Sequence, residues 1–173
     1  MGAALKCLKK RGGGGDKKVG KGNKEFMKGW EKSSNGVVPA NAFVGGRDGN
    51  DENIYVVRAE YDGQTVVGTL RTNEKQANIA VGDEILKKKD YDVLCVEGRW
   101  MVIELAEDSI PSDAIKGGRD EKNKPTYIGR IKKKYDHYIG NIDPTTKTIT
   151  IPMGSKAKEY RNGEILVKAA KGK

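Results

Sequence analysis

Gly45-Gly46-Arg47-Asp48 recurs as Gly117-Gly118-Arg119-Asp120, 72 residues further along the chain. At the same offset, without a gap, fall Pro39 and Pro111, Ala42 and Ala114, Tyr55 and Tyr127, Arg58 and Arg130, Gly68 and Gly140, Lys75 and Lys147, Ile79 and Ile151, Gly82 and Gly154, and Leu94 and Leu166. Glycines, prolines and aromatics held in register over such a span mark a tandem duplication. The copies cover residues 30–99 and 100–169, and a pseudo-twofold arrangement with equivalent surfaces follows.

Within each copy the chain reads as short strands between turns. Ile54–Tyr61 is rich in β-branched and aromatic residues and ends at Asp62-Gly63, a hairpin dipeptide, after which Thr65–Arg71 starts another strand. Ala77–Val81, Tyr91–Val96 and Arg99–Leu105 read alike, as do Thr126–Ile131, Tyr138–Ile142, Thr148–Met153 and Glu164–Lys168 in the second copy. No window of a dozen residues carries a 3.6-residue apolar period, and 23 glycines disfavour a helical bundle. The expected fold is all-β: tandem 72-residue β-repeats with pseudo-twofold symmetry, preceded by a disordered basic tail. Copies of this size are marginal alone, so one shared core is expected in a single domain over residues 25–173.

The formal charge of +9 points to an anionic partner only until its distribution is read. Residues 1–24 hold eight basic side chains against Asp16 alone, so +7 sits there and the other 149 residues carry +2. This Gly/Lys segment has almost nothing apolar after Leu8 to offset the entropy of ordering, and is expected to be disordered. Through it the protein is expected to touch anionic membrane or nucleic acid weakly. Gly15–Gly22 approaches a phosphate loop but ends in Gly22 where Ser or Thr would hold Mg²⁺. Met1–Lys6 approaches an acylation signal but has Lys6 where Ser or Thr is wanted, and Arg11–Gly15 is a single Arg-Gly unit. With no apolar export segment, no run of eighteen apolar residues and only Cys7 and Cys95, the expectation is a soluble cytoplasmic protein without a disulfide framework.

Trp30, Pro39-Ala40-Asn41-Ala42, Gly45-Gly46-Arg47-Asp48, Ile54-Tyr55-Val56-Val57-Arg58-Ala59, Val67-Gly68, Val81-Gly82 and Tyr91-Asp92-Val93-Leu94 stand in an order that resembles one unit of the "DM nine" repeat of natterin-like proteins. Trp100, Pro111-Ser112-Asp113-Ala114, Gly117-Gly118-Arg119-Asp120, Tyr127-Ile128-Gly129-Arg130, Ile139-Gly140 and Ile165-Leu166-Val167 resemble a second. The resemblance implies interleaved β-repeats in one domain, often a homodimer, and a lectin-like role in recognising mannose-type sugars without calcium. It also implies a pattern-recognition role in innate immunity. By the same resemblance the ligand is held by the Asp ending each Gly-Gly-x-Asp loop, here Asp48 and Asp120, with Arg47 and Arg119 beside them. The lysine that follows the glycine of the next strand in sugar-binding members is replaced by Thr69 and Asn141. Arg71, two residues beyond Thr69 on the same strand face, offers a substitute donor, whereas Asp143 stands in its place in the second copy. The two sites are therefore not equivalent.

The chemistry of the loop agrees with that role. A carboxylate that accepts two vicinal sugar hydroxyls in charge-assisted hydrogen bonds fixes a pyranose, and paired glycines let backbone approach closely or turn left-handed. The structural alternative is that each Asp caps its own loop by accepting the amides of residues 50 and 122. Arg58 and Arg130 read as structural arginines bonded across the pseudo-twofold, and Trp30 and Trp100 as core anchors rather than sugar platforms. One histidine, His137 in a polar turn, excludes a zinc site or a Cys-His pair. Asp48-Gly49-Asn50-Asp51-Glu52 fails as a calcium loop, with Asn53 at the turn glycine and Ala59 at the bidentate Glu. No acid-nucleophile pair and no serine elbow stand out, so the reading is a binding protein without cofactor or catalysis. The contrasting reading is an interaction or membrane-associated scaffold localised by the basic segment, with sugar binding lost.

Overall fold

The computed structural model of the chain describes residues 21–170. A short helix, α1 (Lys21–Met27), leads into fourteen strands. The first copy supplies β1 (Trp30–Ser34), β2 (Val44–Arg47), β3 (Asn53–Tyr61), β4 (Gln64–Arg71), β5 (Ala77–Val81), β6 (Glu84–Lys88) and β7 (Asp90–Leu94). The second supplies β8 (Gly98–Glu104), β9 (Lys116–Arg119), β10 (Pro125–Lys133), β11 (Asp136–Asp143), β12 (Thr148–Met153), β13 (Lys156–Tyr160) and β14 (Asn162–Lys168). Every pairing within the first set has its counterpart seven strands on: β1 with β7 as β8 with β14, β3 with β7 as β10 with β14, β4 with β5 as β11 with β12. The duplication read from the sequence is thus a duplication of topology.

The hairpin signals hold. β3 and β4 pair from Ile54 opposite Arg71 to Tyr61 opposite Gln64, and Asp62 and Gly63 close the turn at φ 46° and 79°, the left-handed pair a two-residue hairpin demands. Five strands lack a sequence signal: β1, β2, β6, β9 and β13 are four or five residues long and rich in glycine, lysine or serine. Residues 21–24, assigned above to the disordered tail, open α1, because Phe26 and Met27 have a docking partner on the domain. The rest of the tail expectation, and the phosphate-loop, acylation and Arg-Gly near-matches apart from Lys21 and Gly22, lie outside the described residues.

One core is shared and two are private. The central cluster takes Val56 with Ile128, Val67 with Ile139, and Leu94 with Leu166, each a pair at the 72-residue offset, so the pseudo-twofold runs through it. Val57, Leu70, Ile79 and Val93 pack within the first copy, and Ile142, Ile149, Ile151 and Ile165 within the second. β4 is buried along six consecutive residues, Thr65–Leu70, because these clusters cover both its faces.

Two arginines lock the copies together. Arg58 is fully buried: Nε donates to Asp92 Oδ2 at 3.0 Å, Nη1 to the Gly117 carbonyl at 3.2 Å and Nη2 to the Phe26 carbonyl at 3.0 Å. Its guanidinium stacks between Phe26 (4.0 Å) and Trp30 (4.2 Å). Arg130 repeats the device, donating to the Gly45 carbonyl at 2.9 Å and stacking on Trp100 at 4.4 Å. Glu164, one methylene longer than Asp92, takes both Nε and Nη2 at 2.9 and 3.0 Å. Asp92 reaches only Nε, which leaves Nη2 for the Phe26 carbonyl, and so α1 docks on the first copy.

Candidate functional site

The two Gly-Gly-Arg-Asp loops close identically. In the first, Asp48 Oδ1 accepts the amides of Asn50 at 2.8 Å and Glu52 at 3.0 Å, and Asp51 takes the left-handed conformation at φ 63°. In the second, Asp120 Oδ1 accepts the amides of Lys122 at 2.9 Å and Lys124 at 2.8 Å, with Asn123 at φ 63°. One carboxylate oxygen of each Asp therefore holds its own loop. The glycines do not supply the left-handed backbone; they let the loop strand meet the other copy. A Cβ on Gly118 would run into the Thr65 carbonyl, one on Gly117 into Val67, and one on Gly45 into the end of Ile139 at 2.5 Å.

Across the pseudo-twofold the two loops differ. Gly118-Arg119 lies on β4 with Thr65 opposite Arg119. At the equivalent contact the Arg47 amide donates to His137 Nδ1 at 3.0 Å, so a side chain stands in for the backbone. His137 is thus a half-buried residue of β11 that grips the first loop, not a residue of a polar turn. Beside it Asp136 Oδ1 accepts the Gly49 amide at 2.8 Å. Tyr135, 81% exposed, has its Cβ 3.7 Å from where a Cβ on Gly49 would stand. Arg71 lies over the Tyr138 ring at 5.5 Å, with Nη1 3.9 Å from Asp48 Oδ2.

The first loop therefore gathers two carboxylates, a guanidinium and two tyrosines, three of the five from the other copy. At the second loop the offset positions hold Gly63, Gln64, Val66 and Asp143 in place of Tyr135, Asp136, Tyr138 and Arg71. Asp136, His137 and Tyr138 were missed from the sequence. The signal was there as a local departure from the repeat, since their counterparts are Gln64, Thr65 and Val66.

The remaining sequence candidates fall apart from this cluster or serve the fold. Thr69 is 3% exposed on β4, paired opposite Asn78, and does not replace the missing lysine at the surface. Asn141 Oδ1 accepts the Val67 amide at 3.3 Å, tying β11 to β4. Arg47 reaches Asp51 within its own loop at 3.4 Å. Arg119 donates to Asn123 at 3.3 Å and stacks on Phe26 at 4.1 Å. Among the described residues no three His, Cys, Asp or Glu side chains converge to hold a metal ion. Burial, with Glu31 nearby, pushes the Cys95 thiol up to about 12, which leaves it unreactive.

The Glu52 amide, joined by that of Asn50 and the charge of Arg71 and opposed by burial, holds the Asp48 carboxyl below its ordinary range, so it is ionised at neutral pH. Burial lowers the His137 pKa, aided by Arg130 and Lys132 and opposed by Glu164, and the Arg47 amide, donating to Nδ1, favours the neutral ring. A base whose folded pKa is depressed takes up protons first in the unfolded chain. The stability it contributes is complete above the unfolded value and falls as the pH drops through and below it. Because His137 is the only histidine, urea unfolding is expected to show lower stability at pH 5 than at pH 7, and His137→Gln to flatten that difference.

A family model described as the DM9 repeat matches residues 19–87 and 52–160. The chain belongs to the DM9 repeat family. The matched spans overlap, so the limits of the family model do not coincide with the two copies set by the 72-residue offset. DM9 proteins are often carbohydrate-binding. The fold also resembles the crystal structure of the nematode sperm cell motility protein MFP2B, with a TM-score of 0.57 at 14% identity. The match covers 80% of this chain and 43% of that one, so this DM9 chain spans less than half of MFP2B. No curated protein matches the sequence. No helix among the described residues is long and apolar enough to cross a membrane.

Proposed function

We propose that this chain is a carbohydrate-binding protein of the DM9 type that recognises mannose-type glycans without calcium, at one principal site per chain on the first loop. The observation that carries the reading is the convergence of Asp48, Arg71 and Asp136 beside the Tyr138 ring, with Tyr135 next to the loop. A pyranose offers vicinal hydroxyls that donate to carboxylate and accept from guanidinium, and an apolar ring face that packs on tyrosine. Asp48 Oδ2 and Arg71, 3.9 Å apart, span a hydroxyl pair without a metal. Arg71 takes the part of the lysine that Thr69, buried, does not. The second loop has Asp143 at the position of Arg71 and so lacks that guanidinium. The protein is read as a cytoplasmic binding module with a pattern-recognition role and no catalysis, in which pairing of chains would gain avidity from weak sites.

Calorimetric titration of the full chain with mannose and a mannose-rich oligosaccharide, in EDTA, tests this. Millimolar binding of the monosaccharide is expected, tighter for the oligosaccharide and weakened about tenfold by Arg71→Ala. Silence with both ligands would overturn the reading and favour an interaction scaffold.

A further inference from the structure

The second copy is an internal control for the first. Strand pairing sets Lys88 opposite Ala77 where the second copy sets Tyr160 opposite Ile149, and Lys32 opposite Asp92 where it sets Val102 opposite Glu164. The structural counterparts of Lys32, Lys87, Lys88 and Lys89 are therefore Val102, Glu159, Tyr160 and Arg161. The same strands form in both copies, so the fold does not require the four lysines.

These lysines line a groove of about 570 Å³, within the size range of small-ligand sites. None of the four is ion-paired among the described residues. Of the acidic groups on the groove, Asp92 is paired with Arg58 at 3.0 Å, and Glu60 accepts the Thr65 hydroxyl at 2.9 Å while keeping its charge. Glu60 and Asp90 remain as counter-charges, two against four lysines. Like charges gathered in a concave surface repel one another and raise the local positive potential, an arrangement that an anionic ligand relieves.

We propose that this groove, away from the first-loop site, binds a small, multiply phosphorylated anion. Lysines on flexible stems act as movable point charges and suit clustered phosphates with no fixed fork geometry. A soluble inositol phosphate and the headgroup of a phosphoinositide share this chemistry.

The test uses the full chain at about 0.15 M salt with three probes: inositol trisphosphate, phosphatidylcholine vesicles holding phosphatidylinositol bisphosphate, and single-stranded RNA. The variant K32V/K87E/K88Y/K89R installs the second copy's residues, and Lys87→Gln with Lys89→Gln, both exposed, is the milder check on folding. Micromolar binding of inositol trisphosphate that falls about a hundredfold in the fourfold variant, and about tenfold in the double one, supports the proposal. Vesicle binding lost in parallel makes the lipid headgroup the source; its absence makes the free anion the source. Binding unchanged in the variants, no binding of either phosphate probe at about millimolar concentration, or swap-sensitive binding of RNA alone overturns it.

Discussion

Arg58→Ala is expected to lower the stability of the domain by about 3–5 kcal/mol, read as a fall in the urea midpoint at unchanged m-value. Arg58 is the largest fully buried side chain, and three groups depend on it: the Asp92 carboxylate, the Gly117 carbonyl and the Phe26 carbonyl. Burial lowers the Arg58 pKa, opposed by its bond to Asp92, but the guanidinium stays charged; removing it strands a carboxylate and opens a cavity between Phe26 and Trp30. Arg130→Ala is expected to cost roughly half as much. Arg130 keeps 15% of its side-chain surface exposed and no helix covers it, so water reaches Glu164 when the guanidinium goes. Equal losses, or a small loss at Arg58, would contradict its role as the buried lock between copies.

Gly118→Ala is expected to be as damaging, with a loss above about 3 kcal/mol and little folded protein at 37 °C. The added methyl would occupy the place of the Thr65 carbonyl, and because a Cβ is fixed by its own backbone no rotamer relieves it. β9 must leave β4, and the Gly117 carbonyl then leaves Arg58. Gly82→Ala is the control. Gly82 has φ +60° and nothing within 4 Å of where the methyl would stand, so the cost is confined to backbone strain, about 1–2 kcal/mol. Thermal unfolding of both variants separates a steric interlock from a general intolerance of substitution.

The fold was legible because duplication writes itself twice: one offset related Gly45 to Gly117 and Arg58 to Arg130, and runs of β-branched and aromatic residues between turns marked β3, β4, β10 and β11. Arg58 and Arg130 bond across the pseudo-twofold as read, and Trp30 and Trp100 anchor them. Short edge strands such as β6 (Glu84–Lys88) and β13 (Lys156–Tyr160) stayed hidden because each pairs on one side only, and half-exposed lysines satisfy that position. The candidate site was half legible. Asp48 and Arg71 stood out within the first copy, but Asp136 and Tyr138 reach that loop from 88 and 90 residues away, and no local pattern encodes a contact made by interleaving. Of the two roles read for the paired glycines, close approach holds and left-handed backbone does not, and Thr69 proves buried, because what surrounds these residues belongs to neighbouring strands.

The asymmetry of the two loops is the heart of the account, and the stoichiometry of sugar binding tests it most directly. Titration of the full chain with a mannose-rich oligosaccharide should give one site per chain, weakened at least about tenfold by Asp48→Ala and left unchanged by Asp120→Ala. Two equal sites per chain, or loss of binding through Asp120→Ala with Asp48→Ala silent, would contradict it.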